Sequence, residues 1–165
     1  MSVEEEIVRT VKTGFPEDVI ATNIQRKSRV SISVKSNKIH DVGLFLRDKL
    51  GFDHIASVLG VDYIATEEFE VIYNVWSTDK KVLMSLRTRI PRNNPALRSL
   101  VNIWEGALYH ERETWEMFGI KFDGHPNLAP LLLEDWEGLP PLRKDFVLPD
   151  KPQEKLEEKI KKIGG

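Results

Sequence analysis

The chain contains no cysteine. That excludes disulfide crosslinks, a thiolate nucleophile and any cysteine-ligated iron–sulfur cluster. It also has no surplus of positive charge. Its 24 Lys and Arg face 26 Asp and Glu for a net −2, so no overall basic field attracts nucleic-acid phosphates. No apolar run approaches the ~20 residues that a membrane-spanning helix needs. The first residues, Met1-Ser2-Val3-Glu4-Glu5-Glu6, are acidic where a secretory leader is basic and then apolar. An intracellular protein is the expectation. What is present suits a globular fold: 41% hydrophobic and 30% charged residues over 165 positions, enough for one core and one domain.

Ser2 and Glu5 have capping-box spacing ahead of the apolar stripe Ile7, Val8 and Val11, which predicts a helix ending near Gly14. Ile20, Thr22 and Ile24 alternate, Arg26-Lys27-Ser28 turns the chain, and Val30, Ile32 and Val34 alternate back. This predicts a hairpin with one buried face. Ser36-Asn37 reads as the cap of a second helix, with Ile39, Val42, Phe45, Leu46 and Leu50 on its inner face and Gly51 at its end. Three further strands follow: His54 to Tyr63, interrupted by Gly60; one lined by Phe69, Val71, Tyr73 and Val75; and one lined by Val82, Met84, Leu86, Thr88 and Ile90. The fold class is α+β: a single domain with a five-stranded mixed or antiparallel sheet and helices mainly on one face.

Asn94-Pro95 reads as a helix start, because Asn caps well and Pro tolerates the first turn. Leu97, Val101, Trp104 and Leu108 then step along one face, and the same stripe runs on through Glu111, Trp115 and Phe118. A continuous helix would bury Glu111, which then needs a partner; a break at Gly106 would turn it outward. Gly119 ends the helix, since glycine alone takes the left-handed cap conformation without strain. Trp104 and Trp115, on the stripe, read as core.

From Gly124 the pattern changes. Pro126 to Pro152 holds six of the nine prolines, so this stretch can continue neither a central strand nor a long helix. Yet it carries Leu131-Leu132-Leu133, Trp136, Leu139, Leu142, Phe146 and Leu148, which are costly to leave in water. Such a segment is expected to run extended against a surface, either that of its own domain or that of another subunit. The chain divides into an α+β domain over 1–123, this extended segment, expected to dock on a partner, over 124–152, and a short terminal helix over 153–165. Arg143 offers a planar fork for a carboxylate, with Glu111, Glu113 or a partner's acid as candidate acceptors.

"ERETWEMFGIKFDGHPNL" followed by "DWEGLPPLRKDF" resembles the signature of the thirty-kilodalton subunit family of respiratory complex I, which includes the equivalent subunits of complex I-like membrane-bound hydrogenases. The match is detailed over the last third. The resemblance implies a cofactor-free subunit that packs on a partner related to the large subunit of nickel–iron hydrogenases and on an adjacent iron–sulfur subunit. Those neighbours would hold the iron–sulfur clusters and, in a hydrogenase, the nickel–iron centre. It further implies a peripheral place on the cytoplasmic face of the cell membrane, reached through partners only. The residues implied as motif and interface are Glu111, Arg112, Glu113, Trp115, Phe118, Gly119, Gly124, His125 and Pro126 in the first stretch. In the second they are Trp136, Leu142, Arg143, Lys144, Asp145 and Phe146. Departures exist: the family usually has Asp at Glu116 and often Arg at Pro130. Its complex I form commonly reads Gly-His-Pro-Leu-Arg-Lys-Asp where this chain has Gly138-Leu139-Pro140-Pro141-Leu142-Arg143-Lys144-Asp145. These differences favour the hydrogenase-type branch over NADH:quinone oxidoreductase.

Two other classes compete. A small hydrolase could use Glu111 and His125, provided the two meet in a concave pocket. A peptide-binding module would need a free sheet edge. For His125, which sits in a turn beside Pro126, a hydrogen-bonding anchor is the plainer reading. His40, His54 and His110 are scattered and lack the spacing of a zinc site.

Overall fold

The structure, a computed structural model, describes residues 1–148; the terminal helix predicted over 153–165 lies outside them. Helix α1 (Val3–Gly14) begins with the capping box that its sequence encodes. Ser2 Oγ accepts the Glu5 N–H at 3.2 Å, and the Glu5 carboxylate accepts the Ser2 N–H at 2.7 Å. Ile7 and Val11 enter the core, while Glu4 accepts the Ser28 N–H at 2.6 Å and ties the helix to the next turn.

That turn joins β1 (Val19–Arg26) to β2 (Arg29–Val34), the predicted hairpin. Its buried face is confined to β2, where Val30, Ile32 and Val34 are enclosed. Ile20 and Ile24 remain exposed because β1 is the outermost strand of the sheet. A 3-10 turn over Ser36–Lys38 precedes α2 (Ile39–Leu50). Ser36 and Asn37 are consumed in that turn and do not cap the helix as expected; Lys38 stands at the cap position without a side-chain bond. Gly51 ends α2 in the left-handed conformation, φ 68°.

Strands β3 (His54–Tyr63), β4 (Glu68–Ser77) and β5 (Val82–Pro91) complete a five-stranded sheet in the order β1-β2-β5-β4-β3. Only β2 and β5 run parallel, so the sheet is mixed. The alternating residues Phe69, Val71, Tyr73 and Val75 of β4 and Val82, Met84, Leu86 and Ile90 of β5 are buried on one face. The other face is polar in its middle: Asn74 donates to Ser57 at 3.0 Å and accepts from Ser85 at 2.7 Å.

Beyond Pro95 the chain departs from the predicted long helix. Residues Ala96–Arg98 form β6, which pairs in parallel with β7 (Lys121–Asp123), and α3 (Ala107–Phe118) lies between them. Leu97, Leu100, Ile103 and Trp104 are all buried, but from a strand and turns. Their three- and four-residue spacing imitates a helix face. Trp104 is core, as its place on the stripe predicts, and donates its indole N–H to the Phe52 carbonyl at 2.8 Å. Helix α3 lies against β3 on the face that α1 and α2 also cover.

Gly60, the apparent interruption of β3, is where that packing is closest. A Cβ at this position would stand 2.6 Å from the Phe118 ring, which also meets Phe69 edge-on at a centroid distance of 6.2 Å. The strand tolerates the glycine because the helix needs the space. Gly60→Val is expected to lower the unfolding free energy by about 2 kcal/mol, as an overpacked core does, read as a lower urea midpoint with an unchanged slope.

Candidate docking site

The predicted partners of Glu111 have to be corrected. The helix starts only after Gly106, yet Glu111 is wholly buried, because the turn after β6 folds over it. Its carboxylate accepts the Tyr73 hydroxyl at 2.9 Å, the Ser99 hydroxyl at 2.6 Å and the Leu100 N–H at 2.8 Å. Burial pushes its pKa up, and the Ser99, Leu100 and Tyr73 donors oppose that shift only in part. Arg143 is not among its partners. Glu111 is thus a buried crosslink between β4, the turn and α3. His125 is held elsewhere: Nε2 bonds the Leu108 carbonyl at 2.9 Å and Nδ1 accepts the Asn127 N–H at 3.0 Å. Both ring nitrogens are engaged, as an anchor's would be, and no substrate can reach Glu111. The hydrolase reading therefore lacks its pocket.

The outer side of α3 carries the more informative chemistry. Arg112 donates to the carbonyls of Ala129 at 3.0 Å and Pro130 at 2.8 Å. One turn on, the Glu116 carboxylate accepts three consecutive N–H groups, those of Leu131, Leu132 and Leu133, at 3.1, 2.9 and 2.9 Å. Burial penalises the charge on Glu116, but the Leu133, Leu132 and Leu131 amides outweigh it and hold the pKa below the ordinary value. Residues 124–148 contain no helix or strand, and these contacts seat them as a strap on the domain. Met117, at the C-terminal end of α3, continues the seat by accepting the Leu142 N–H at 3.0 Å. Glu113 is exposed, Trp115 is half-buried and Phe118 is in the core. Gly119 closes α3 at φ 78°, and Gly124, at φ 83°, turns the chain into the strap beside Pro126.

A second anchor lies at the end of β3. Asp62, buried, pairs with Arg92 at 2.9 Å and accepts the Lys144 N–H at 2.7 Å. Arg92 also reaches Asp145 at 2.7 Å, and Arg143 grips the same carboxylate with two bonds at 3.1 and 3.2 Å. Both guanidinium groups lie over the Phe69 ring, 5.6 and 5.5 Å from its centre. Arg143 is therefore partnered within the strap itself, and neither Glu111 nor Glu113 is its acceptor. The Arg143 bonds, with further help from Arg92, pull the Asp145 pKa from 3.8 to about 2.

With its backbone thus held, the strap leaves apolar side chains in solvent. Trp136 is 41% exposed, Leu132 59% and Val147 82%, and Leu139, Leu142 and Leu148 are exposed as well. Trp136 leans on Phe146 at 5.7 Å and donates its indole N–H to the Leu139 carbonyl at 3.1 Å. Seated polar backbone beneath exposed apolar side chains is the composition of an interaction surface.

Residues 32–152 match the family model for the respiratory-chain NADH dehydrogenase 30 Kd subunit. The chain belongs to that family. It is 39% identical over 141 residues to a subunit of the F(420)H(2) dehydrogenase of Methanosarcina mazei, covering 85% of this chain and 89% of the relative. It is 40% identical over 146 residues to a subunit of the NADH-quinone oxidoreductase of Roseiflexus sp., covering 86% and 83%. Its fold superposes, with a TM-score of 0.79 and 27% identity, on a chain from the membrane-bound sulfane sulfur reductase, an archaeal respiratory membrane complex. That overlap covers 95% of this chain and 91% of the other. As a thirty-kilodalton-family member the protein is thus similar to components of several respiratory complexes. No helix among the described residues is long and apolar enough to cross a membrane.

Sequence reasoning passes over Glu116, Asp62 and Arg92. Glu116 is visible there only as a substitution for the family's usual Asp. In the structure its side chain reaches three amides, a role that no local pattern announces. Asp62, near the end of β3, and Arg92, just past β5, occupy strand margins where charged residues are ordinarily solvent-facing.

The buried and strap-bound carboxylates differ in what their loss should do. Glu111→Ala leaves three buried donors without an acceptor and is expected to cost about 4 kcal/mol, at roughly 1–3 kcal/mol per stranded group. Glu111→Gln, which keeps the shape and one acceptor, should cost less than half as much; urea unfolding of both variants measures the difference. For Asp145 the folded pKa lies below the unfolded one. Its stabilising contribution is therefore complete above about pH 4 and vanishes as pH falls through about 2. The urea midpoints of wild type and Asp145→Asn should differ at neutral pH and converge on acidification.

Proposed function

We propose that this chain is a cofactor-free assembly subunit of a complex I-like membrane redox complex of the membrane-bound hydrogenase type. It docks through the segment after Gly124 on a partner related to the large subunit of nickel–iron hydrogenases and on an adjacent iron–sulfur subunit. Family membership supports a complex I-like respiratory complex in general. The observation that carries the docking role is the strap, whose backbone is fastened by Arg112, Glu116 and Asp62 while its bulky side chains stay in water. A tail with no partner would gain nothing by exposing Trp136, Leu142 and Val147.

The hydrogenase-type branch rests on Leu139-Pro140-Pro141, which replaces the His-Pro of the complex I form. The role of the chain is mechanical. The α+β block braces its neighbours, and the strap holds them so that electron-carrying centres in those neighbours keep their spacing. Clusters and any nickel–iron centre belong to the partners. The protein sits on the cytoplasmic face of the membrane, held there by the partners.

Removal of the residues after Gly124 is expected to leave a folded domain that no longer copurifies with the complex from native membranes. The full-length variant Val147→Asp with Leu148→Asp, which alters only exposed side chains, should show the same loss with an unchanged thermal midpoint. Normal recovery of both proteins with the complex would remove the docking role.

A further inference from the structure

The strap and the C-terminal end of α3 enclose a cleft of about 800 Å³, walled by Trp115, Leu131, Leu132, Leu133, Trp136 and Pro140. Trp136 also borders a hollow of about 490 Å³ formed with Leu139, Phe146 and Val147. Trp136 thus lines both recesses, held by its bond to Leu139 and its contact with Phe146. The scale of the cleft suits a few side chains.

Its charge is one-sided. Glu134 and Asp135 line the cleft, Glu137 borders the neighbouring hollow, all three acids are exposed, and residues 131–139 contain no Lys or Arg. Among the described residues, Arg112 and Arg143 are committed elsewhere. Arg112 is bound to the Ala129 and Pro130 carbonyls, and Arg143 to Asp145. On the floor, the Glu116 carboxylate is occupied by three amides, so it organises the cleft and is not an open acceptor. Acidic rim, apolar walls and a partly exposed indole face together match one kind of occupant. A cation is drawn by the rim and the ring, while its apolar neighbours fill the walls.

We propose that this cleft receives a segment of a partner subunit in which an arginine or lysine is flanked by apolar side chains. This deepens the docking role and rests on it.

The test uses the assembled complex. p-Benzoylphenylalanine in place of Leu132, an exposed wall residue, is photoactivated in native membranes and the crosslinked peptide is sequenced. A peptide of a neighbouring subunit with Arg or Lys beside apolar residues is expected. An acidic or wholly polar peptide, a second copy of this chain, residues 149–165 of the same chain, or no adduct at all would overturn the proposal. In parallel, Glu134→Lys with Glu137→Lys in the full chain should lower recovery with the complex at least tenfold, at an unchanged thermal midpoint of the isolated chain. Glu134→Gln with Glu137→Gln should give a smaller loss. Suppose the charge-reversed chain assembles normally while Val147→Asp with Leu148→Asp does not: the cleft's occupant is then wrong and the docking role survives. Normal assembly of all variants removes both.

Discussion

The side chain of Glu116 gathers three successive amide hydrogens of the strap, and the layout of the C-terminal third depends on it. A carboxylate buried on a helix flank is costly unless donors surround it. Here the donors come from a segment whose prolines bar it from pairing in a sheet or coiling into a helix. Each solves the other's problem: the strap's backbone has no ladder to satisfy it, and the carboxylate has no ion pair among the described residues. With the amides turned toward the helix, the leucine side chains stay at the surface.

The second fastening works by a different balance. Asp62, Arg92, Asp145 and Arg143 alternate in sign from the sheet to the strap, with both guanidinium groups resting on Phe69. Such networks add less net stability than their short distances imply, since desolvation offsets much of the attraction. Their clearer effect is on register. The fork of Arg92 holds Asp62 and reaches Asp145 with one nitrogen, which ties the strap to the end of β3, while Arg143 orients the Asp145 carboxylate from within the strap.

Much of the domain was legible in its sequence. Ser2 and Glu5 announced their capping box, Gly51 and Gly119 their helix ends, and the alternation in β4 and β5 their buried face. These features rest on contacts between residues near in sequence or on a strict period. The stretch from Pro95 to Gly106 imitates a helix because burial from a strand and turns, and not helical geometry, sets the spacing of Leu97, Leu100 and Trp104. The turn there is shaped by Glu111, which accepts from Ser99 and Leu100, twelve and eleven residues earlier, and no local pattern encodes those bonds. Glu111 was correctly marked as needing a partner if buried, but the partners proved to be hydroxyls and an amide. Arg143 was correctly marked as seeking a carboxylate, and the one it found lies two residues away. The extended apolar strap is legible as composition, in prolines mixed with large apolar residues, while the carboxylates that seat it are not.

The fastening of the strap bears on how such a protein associates. A flexible tail loses backbone freedom when it binds, at roughly 1–2 kcal/mol for each residue fixed. In this chain the backbone from Ala129 to Leu133 is already immobilised by α3, and Lys144 and Asp145 by the sheet. A neighbour docking there as proposed would meet a preformed relief of leucines and an indole, and more of the contact energy would remain to hold the pair together. Among related complexes such gains are felt mainly as slower dissociation, which suits a component whose neighbours must stay in fixed relation through many turnovers.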